Sequence, residues 1–163
     1  MRSLVLVCAL LAVLLPGTAA GARPPLVTAG YPYADRCPAA GSHELGDRWG
    51  MDLCNCTSYA AWALDRNGYR VDWFAPGEMD ARRWGIVARA AGIPTGFTPR
   101  VGAVAVWPWW KRFGHVAIVT RVDPHGRFDV AEYNEPGGVR YGFDTREGVS
   151  RRGVTFVYVP RRR

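Results

Sequence analysis

Two residues far apart in the chain have the types needed for thiol chemistry: Cys56, within Asn55-Cys56-Thr57-Ser58, and His115, within Gly114-His115-Val116-Ala117. A thiolate attacks carbonyl carbon readily, and an imidazole within hydrogen-bond reach can generate it and later hand the proton to a leaving group. Cys56 stands where a helical pattern begins, so exposed backbone N–H groups and the helix dipole favour its anionic form and offer donors to an oxyanion. Asn55 adds a side-chain donor at the same place.

The partners of His115 follow from a turn. Asp123-Pro124-His125-Gly126 separates two β-rich runs and has the composition of a hairpin connection. If Asp123 faces Gly126, His115 falls opposite Asn134 and Ala117 opposite Glu132. Alternation then sets His115, Glu132 and Asn134 on one face, where a carboxylate and a carboxamide fix the imidazole tautomer and support its charged form. The inference depends on register, because a one-residue slip moves His115 to the opposite face.

The elements that must bring these groups together are also legible. A helix fits Cys56 to Asn67, with Tyr59, Ala60, Ala63 and Leu64 at helical spacing and Gly68 as its stop. A second fits Met79 to Ala91, with a stripe of Trp84, Val87, Ala88 and Ala91 ended by Gly92. After Pro99 come short β-rich runs, Ala103 to Trp107, Val116 to Val122, Arg127 to Tyr133 and Val154 to Val159. Helices first and strands afterwards predict an α+β domain, its N-terminal helices packed on a C-terminal antiparallel sheet. Residues 23–53 are rich in Pro, Gly and turn formers and predict loop.

The start of the chain has a separate character. Arg2, an apolar run from Leu4 to Leu15, then Pro16-Gly17 and small residues to Ala22 form the pattern of a secretory signal peptide over 1–22. A membrane span needs about 20 apolar residues, more than this run supplies. Residues 23–163 then make one domain, ending in a basic tail, Arg161 to Arg163, expected to be free. Cys8 leaves with the signal, so the exported chain keeps Cys37, Cys54 and Cys56, an odd number where thiols pair. Cys54 and Cys56 are too close to bridge each other, so Cys37 pairs with one of them.

A formal charge of +7, almost all from arginine, suits anionic partners. No basic helix, finger spacing or ribonucleoprotein pattern points to nucleic acid. A single Cys-x-Cys with one isolated Cys is not the paired pattern of a zinc site, and Asp47 and Asp52 lack the dense acidic run of a calcium loop, so no metal or cofactor is expected. His43 and His125 read as loop and turn residues at the surface.

Four ordered blocks, Asn55-Cys56-Thr57-Ser58-Tyr59-Ala60-Ala61-Trp62, Val101-Gly102-Ala103-Val104-Ala105-Val106-Trp107, Gly114-His115-Val116-Ala117-Ile118-Val119 and Ala131-Glu132-Tyr133-Asn134, resemble the CHAP family of cysteine, histidine-dependent amidohydrolases and peptidases. The resemblance covers about residues 31–159. It implies a papain-like α+β fold and hydrolysis of amide or peptide bonds in peptidoglycan, by an N-acetylmuramoyl-L-alanine amidase or a stem or cross-bridge endopeptidase. By position, the nucleophile falls on Cys56, the base on His115, the orienting acid on Glu132 and the accessory amide on Asn134. Asn55 stands where many members have Gln, which bears on its oxyanion role. With Cys56 needed as a free thiol, the resemblance makes Cys37 and Cys54 the disulfide pair.

Trp109 and Trp110, consecutive in a loop that leads to His115, are expected to stack on a glycan or stem peptide, with Trp49 as an opposite wall. The implied protein is a secreted monomer of the cell wall or extracellular space, with peptidoglycan as partner and no membrane contact after signal cleavage. Two other functions fit the same residues: a non-catalytic wall-binding module, and a cysteine peptidase or transferase acting on proteins.

Overall fold

A computed structural model describes residues 26–37, 46–78 and 80–163, so the expected signal peptide and His43 lie outside the described residues. The order of elements is a 3-10 turn at Ala34–Arg36, helix α1 at Cys56–Arg66, a 3-10 turn at Ala81–Arg83, helix α2 at Trp84–Ala90, then strands β1 to β6. The strands are β1 Thr95–Gly96, β2 Val104–Trp107, β3 His115–Val122, β4 Phe128–Tyr133, β5 Phe143–Val149 and β6 Thr155–Val157. They form one antiparallel sheet in the order β1-β6-β2-β3-β4-β5.

α1 is buried continuously from Thr57 to Leu64 and lies against β3 and β4, while α2 lies against β6 and β1. α1 ends as its sequence predicts, with Gly68 at φ 74°, a conformation glycine adopts without a Cβ clash. α2 is shorter than its periodicity suggests, mostly at its start, where Ala81–Arg83 form a 3-10 turn before Trp84; of the expected stripe Trp84 and Ala88 are buried, Val87 half-buried and Ala91 exposed.

Strand alternation divides the core in two. Val104, Val106, Val116, Ile118, Ala131 and Tyr133 face the helices, whereas Ala105, Trp107, Ala117, Val119, Phe128, Val130 and Phe156 build a second cluster on the other face. Parity places His115 and Glu132 with the second set, at the end of β3 and β4.

The β3–β4 hairpin corrects one premise and keeps its consequence. The Asp123 backbone N–H donates across the turn to Arg127 O at 2.9 Å, and Val122 pairs with Phe128, so the loop is one residue longer than expected. Between Val119 and Arg121 the register shifts, leaving Thr120 as an extra residue in β3. Beyond that bulge Val119 pairs with Val130 and Ile118 with Ala131, the register first inferred. The longer turn and the bulge cancel.

Two further expectations change. β5 and the short β1 carry no apolar alternation strong enough to read in advance; β5 has only a half-exposed, charged pattern. The basic C-terminus is not free: Arg161 bridges to Tyr69 and donates to Asn67 O at 3.0 Å, and Arg162 meets Asp65 at 2.7 Å. Arginine forks find the exposed carbonyls and carboxylate at the end of α1, where a helix dipole favours cations. No helix among the described residues is long and apolar enough to cross a membrane.

Candidate active site

Segment 26–37 is loop by composition but fixes the start of α1. Tyr31, buried, shares a 2.5 Å hydrogen bond with Ser58 Oγ and accepts the Cys54 N–H at 3.2 Å. Burial is the main cause that pushes its hydroxyl up to about 12, so it stays protonated. Its ring meets Tyr33, Tyr59 and Trp62 edge-on and Tyr133 at a tilt. Next to it Cys37 and Cys54 form the disulfide, with Cα atoms 5.5 Å apart. Cys54 sits at φ 62°, a left-handed conformation that a β-carbon disfavours and that the bridge and the Tyr31 bond hold. The chain turns there directly into α1, and Cys56 becomes its first residue, a half-buried free thiol.

His115 is fixed from the other side. Gly114, at φ 71°, presses against the 3-10 turn: a Cβ would lie 2.6 Å from Arg82 N, and Arg82 N donates to Phe113 O at 2.9 Å. That contact seats the β2–β3 loop so that β3 starts with His115. The ring is buried against Trp107 and Trp110, each with its centroid 5.7 Å away. Its Nε2 meets Glu132 Oε2 at 2.8 Å, leaving Nδ1 for the Cys56 side. Burial opposes the charged ring, but the charge and hydrogen bonding of Cys56 and Glu132 outweigh it and raise the imidazole to about 9. Burial likewise opposes the Glu132 carboxylate, yet hydrogen bonds from His115 and Arg146 hold it below its ordinary value.

The amides form a relay whose orientation follows from one unambiguous donor. Tyr141 N–H donates to Asn134 Oδ1 at 3.0 Å, so the opposite end of Asn134 is Nδ2, which donates to Asn55 Oδ1 at 2.7 Å. Asn55 therefore has its own Nδ2 left as a donor at the start of α1, and its side chain does not cap the helix. Asn134 adopts φ 52°, which asparagine tolerates, at the end of β4. Through that bend both ends of its amide go to Tyr141 and Asn55 instead of the imidazole beside which the hairpin register had set it.

A cleft of about 800 Å³ opens over these groups, lined by Asn55, Cys56, Thr57, His115 and Asn134 together with Asp52, Glu78, Asp80, Arg83, Lys111 and Phe113. The three tryptophans expected to line it do not. Trp110 is half-buried on the far side of His115, stacked on Trp109; Trp109 is 62% exposed, but its Nε1 is tied to Gly153 O at 2.8 Å; Trp49 lies under the Arg48 guanidinium. The Trp107-Pro108-Trp109-Trp110 bend turns these rings toward the second core cluster and β6, and Phe113, 57% exposed, is the aromatic at the cleft.

The sequence reading also missed Arg146, on β5, and the acidic and basic residues of segment 78–83. Pro136-Gly137-Gly138 after β4 was the available signal that another strand would return beside it.

A profile of the CHAP domain matches residues 46–134. The probable autolysin LDP of Staphylococcus aureus (strain NCTC 8325 / PS 47) is 35% identical over 86 residues, which cover 51% of this chain and 28% of that protein. The chain thus spans well under half of the relative it matches. The crystal structure of an N-acetylmuramoyl-L-alanine amidase from Staphylococcus aureus superposes with a TM-score of 0.55 at 20% identity, covering 74% of this chain and 35% of that one. That likeness establishes the fold, a papain-like α+β domain with its helices on one face of an antiparallel sheet. With the profile spanning more than half of the chain and running from the disulfide-bonded approach to α1 through Asn134, this protein belongs to the CHAP domain family.

Proposed function

We propose that this chain is a peptidoglycan hydrolase that cleaves an amide or peptide bond through a Cys56 thiolate and an acyl-enzyme. The observation that carries the reading is the meeting of an unbridged Cys56, at the start of an eleven-residue helix, with an imidazole whose far nitrogen is held by a fully buried Glu132. The names of its relatives, an autolysin and a muramoyl-alanine amidase, support the cell wall as the place of action and export as the route.

In this mechanism the Cys56 sulfur attacks the carbonyl carbon and the carbonyl oxygen takes the negative charge. First-turn N–H groups of α1 and Asn55 Nδ2 receive that charge. His115 Nδ1 donates its proton to the leaving nitrogen, the C–N bond breaks and a thioester remains. The neutral imidazole then takes a proton from water, the resulting hydroxide adds to the thioester, and the sulfur leaves as thiolate. Glu132 keeps the ring oriented and balances its charge in both halves, with Asn134 aligning Asn55. Phe113 offers the apolar wall at the cleft, and Trp109 an exposed ring for sugar outside it.

Purified chain added to cell walls should lower their turbidity, and Cys56→Ala should leave the walls intact while keeping the native fold. Mass spectrometry of the soluble products identifies the broken bond. Walls cleared equally well by the Cys56→Ala variant would end the proposal.

A further inference from the structure

Glu132 is fully buried and carries two cationic partners. Its Oε2 accepts His115 Nε2 at 2.8 Å and also Arg146 Nη2 at 2.9 Å, and its Oε1 accepts Arg146 Nε at 2.5 Å. The guanidinium is held in turn between Trp107 and Trp110, with Cζ 5.0 Å and 4.8 Å from their ring centroids, and Glu135 lies 3.9 Å from Nη1. These two rings are the ones that flank His115. Arg146 thus touches the carboxylate and both aromatic walls of the base, while it is not among the residues that line the cleft.

From this arrangement we infer that Arg146 is a positioning residue: its fork locks Glu132 against His115, and by sharing the carboxylate's charge it keeps the His115 proton transferable. The inference rests on the cysteine-hydrolase reading above, since a transferable proton matters only if the imidazole serves a leaving group. The chemistry behind it is competition. A buried carboxylate with one cationic partner grips that partner strongly, and a second cation on the same oxygen weakens the grip and repels the imidazolium. A bidentate fork also leaves the carboxylate no rotational freedom, which a single hydrogen bond from His115 does not ensure.

Among the described residues, the charged and titratable groups around the pair are few. Cys56 of α1 and Glu132 of β4 act on His115; His115, Arg146 of β5 and Tyr59 of α1 interact with Glu132; Glu135 faces Arg146. Of these, only Arg146 lowers the hold of Glu132 on the ring without touching the ring itself.

The test compares Arg146→Gln with Arg146→Lys, each checked for its melting temperature, by two readouts. One is the pH dependence of Cys56 alkylation by iodoacetamide, whose alkaline limb follows loss of the imidazolium and which needs no substrate; the other is kcat and KM on purified peptidoglycan. Arg146→Gln should move the alkaline limb upward by about one unit and lower kcat about tenfold or more, with KM changed less than twofold. Arg146→Lys keeps the charge and loses the fork, so its limb should stay within a few tenths of a unit of wild type while kcat falls several-fold. A limb that stays in place or moves down in Arg146→Gln overturns the charge-sharing role, and an Arg146→Lys enzyme with wild-type kcat overturns the positioning role. Wild-type protein inert on walls would sink the hydrolase reading and leave the alkylation comparison standing.

Discussion

The cleft joins two ends of the molecule that are held by opposite kinds of contact. On the Cys56 side the supports are a disulfide, neutral hydrogen bonds at the Tyr31 hydroxyl and a nest of aromatic rings. On the His115 side they are charges taken out of water, with Glu132 between an imidazole and a guanidinium. The difference matches what the proposed mechanism asks of each group. A nucleophilic sulfur at a helix start has its charge supported by the helix N–H groups and the facing imidazole, so the packing beneath it need only place it. An imidazole must be turned to one tautomer and must gain and lose a proton, and only nearby charge sets that balance. Changes to the supports on the His115 side should therefore act mainly on turnover and its pH dependence, and changes to the supports on the Cys56 side, the disulfide and Tyr31, mainly on stability.

The sharpest test of that division is Glu132→Gln. It removes the anion shared by two cations, so kcat on peptidoglycan should fall by about a thousandfold and the melting temperature should drop with a loss of roughly 3 kcal/mol, the cost of an uncompensated buried partner. Wild-type turnover in this variant would remove the reason for a charged support. Asn55→Ala takes away the proposed side-chain oxyanion donor and should lower kcat by about a hundredfold with little change in melting, because the N-terminal N–H groups of α1 remain.

Loss of the Cys37–Cys54 bridge in the double serine variant should act the other way, costing about 3 kcal/mol in denaturant titration and leaving the kcat of the folded fraction within a few-fold. Tyr31→Phe is the mildest change, about 1–2 kcal/mol from the two hydrogen bonds its hydroxyl shares with Ser58 and Cys54 N–H, and turnover should stay close to wild type. A large kcat loss in Tyr31→Phe with unchanged stability would dissolve the contrast.

pH separates the two sides within one experiment. His115 is raised to about 9 from its ordinary 6.5, so the stability it contributes is complete below pH 6.5 and is lost as pH rises through 9. Glu132 is depressed below its ordinary 4.5, so its contribution is present above that value and is lost as pH falls below it. Melting temperature should therefore peak between about pH 5 and 6.5, and Cys56→Ala, which removes one of the groups that raise His115, should flatten the alkaline fall. Among the supports on the Cys56 side, the disulfide does not titrate and Tyr31, pushed up to about 12 by burial, stays protonated through this range.

Much of this site is legible in the chain itself. The helix start at Cys56 and its glycine stop, the turn-forming run Asp123 to Gly126, and the alternation that groups His115 with Glu132 all depend on neighbours a few residues apart, which local backbone and side-chain preferences encode. Four short blocks in the right order were enough to indicate the family. No residue type at Thr120 signals the bulge, which lets Val119 and Val122, three residues apart on β3, both pack on the second core cluster.

What the tertiary structure alone decided are the contacts between segments far apart in sequence. Arg146 lies on a polar strand with no apolar rhythm, and its role exists only because β5 pairs with β4 and places it over Glu132. The Asn134–Asn55 bond spans 79 positions, and Trp110, whose place in the chain suggested a wall of the cleft, packs half-buried against His115 and the second core cluster. Periodicity and turn chemistry determined which elements form, since both are read over a few residues; which side chains share a buried charge depends on the free energy of whole-chain packing, and no local stretch contains it.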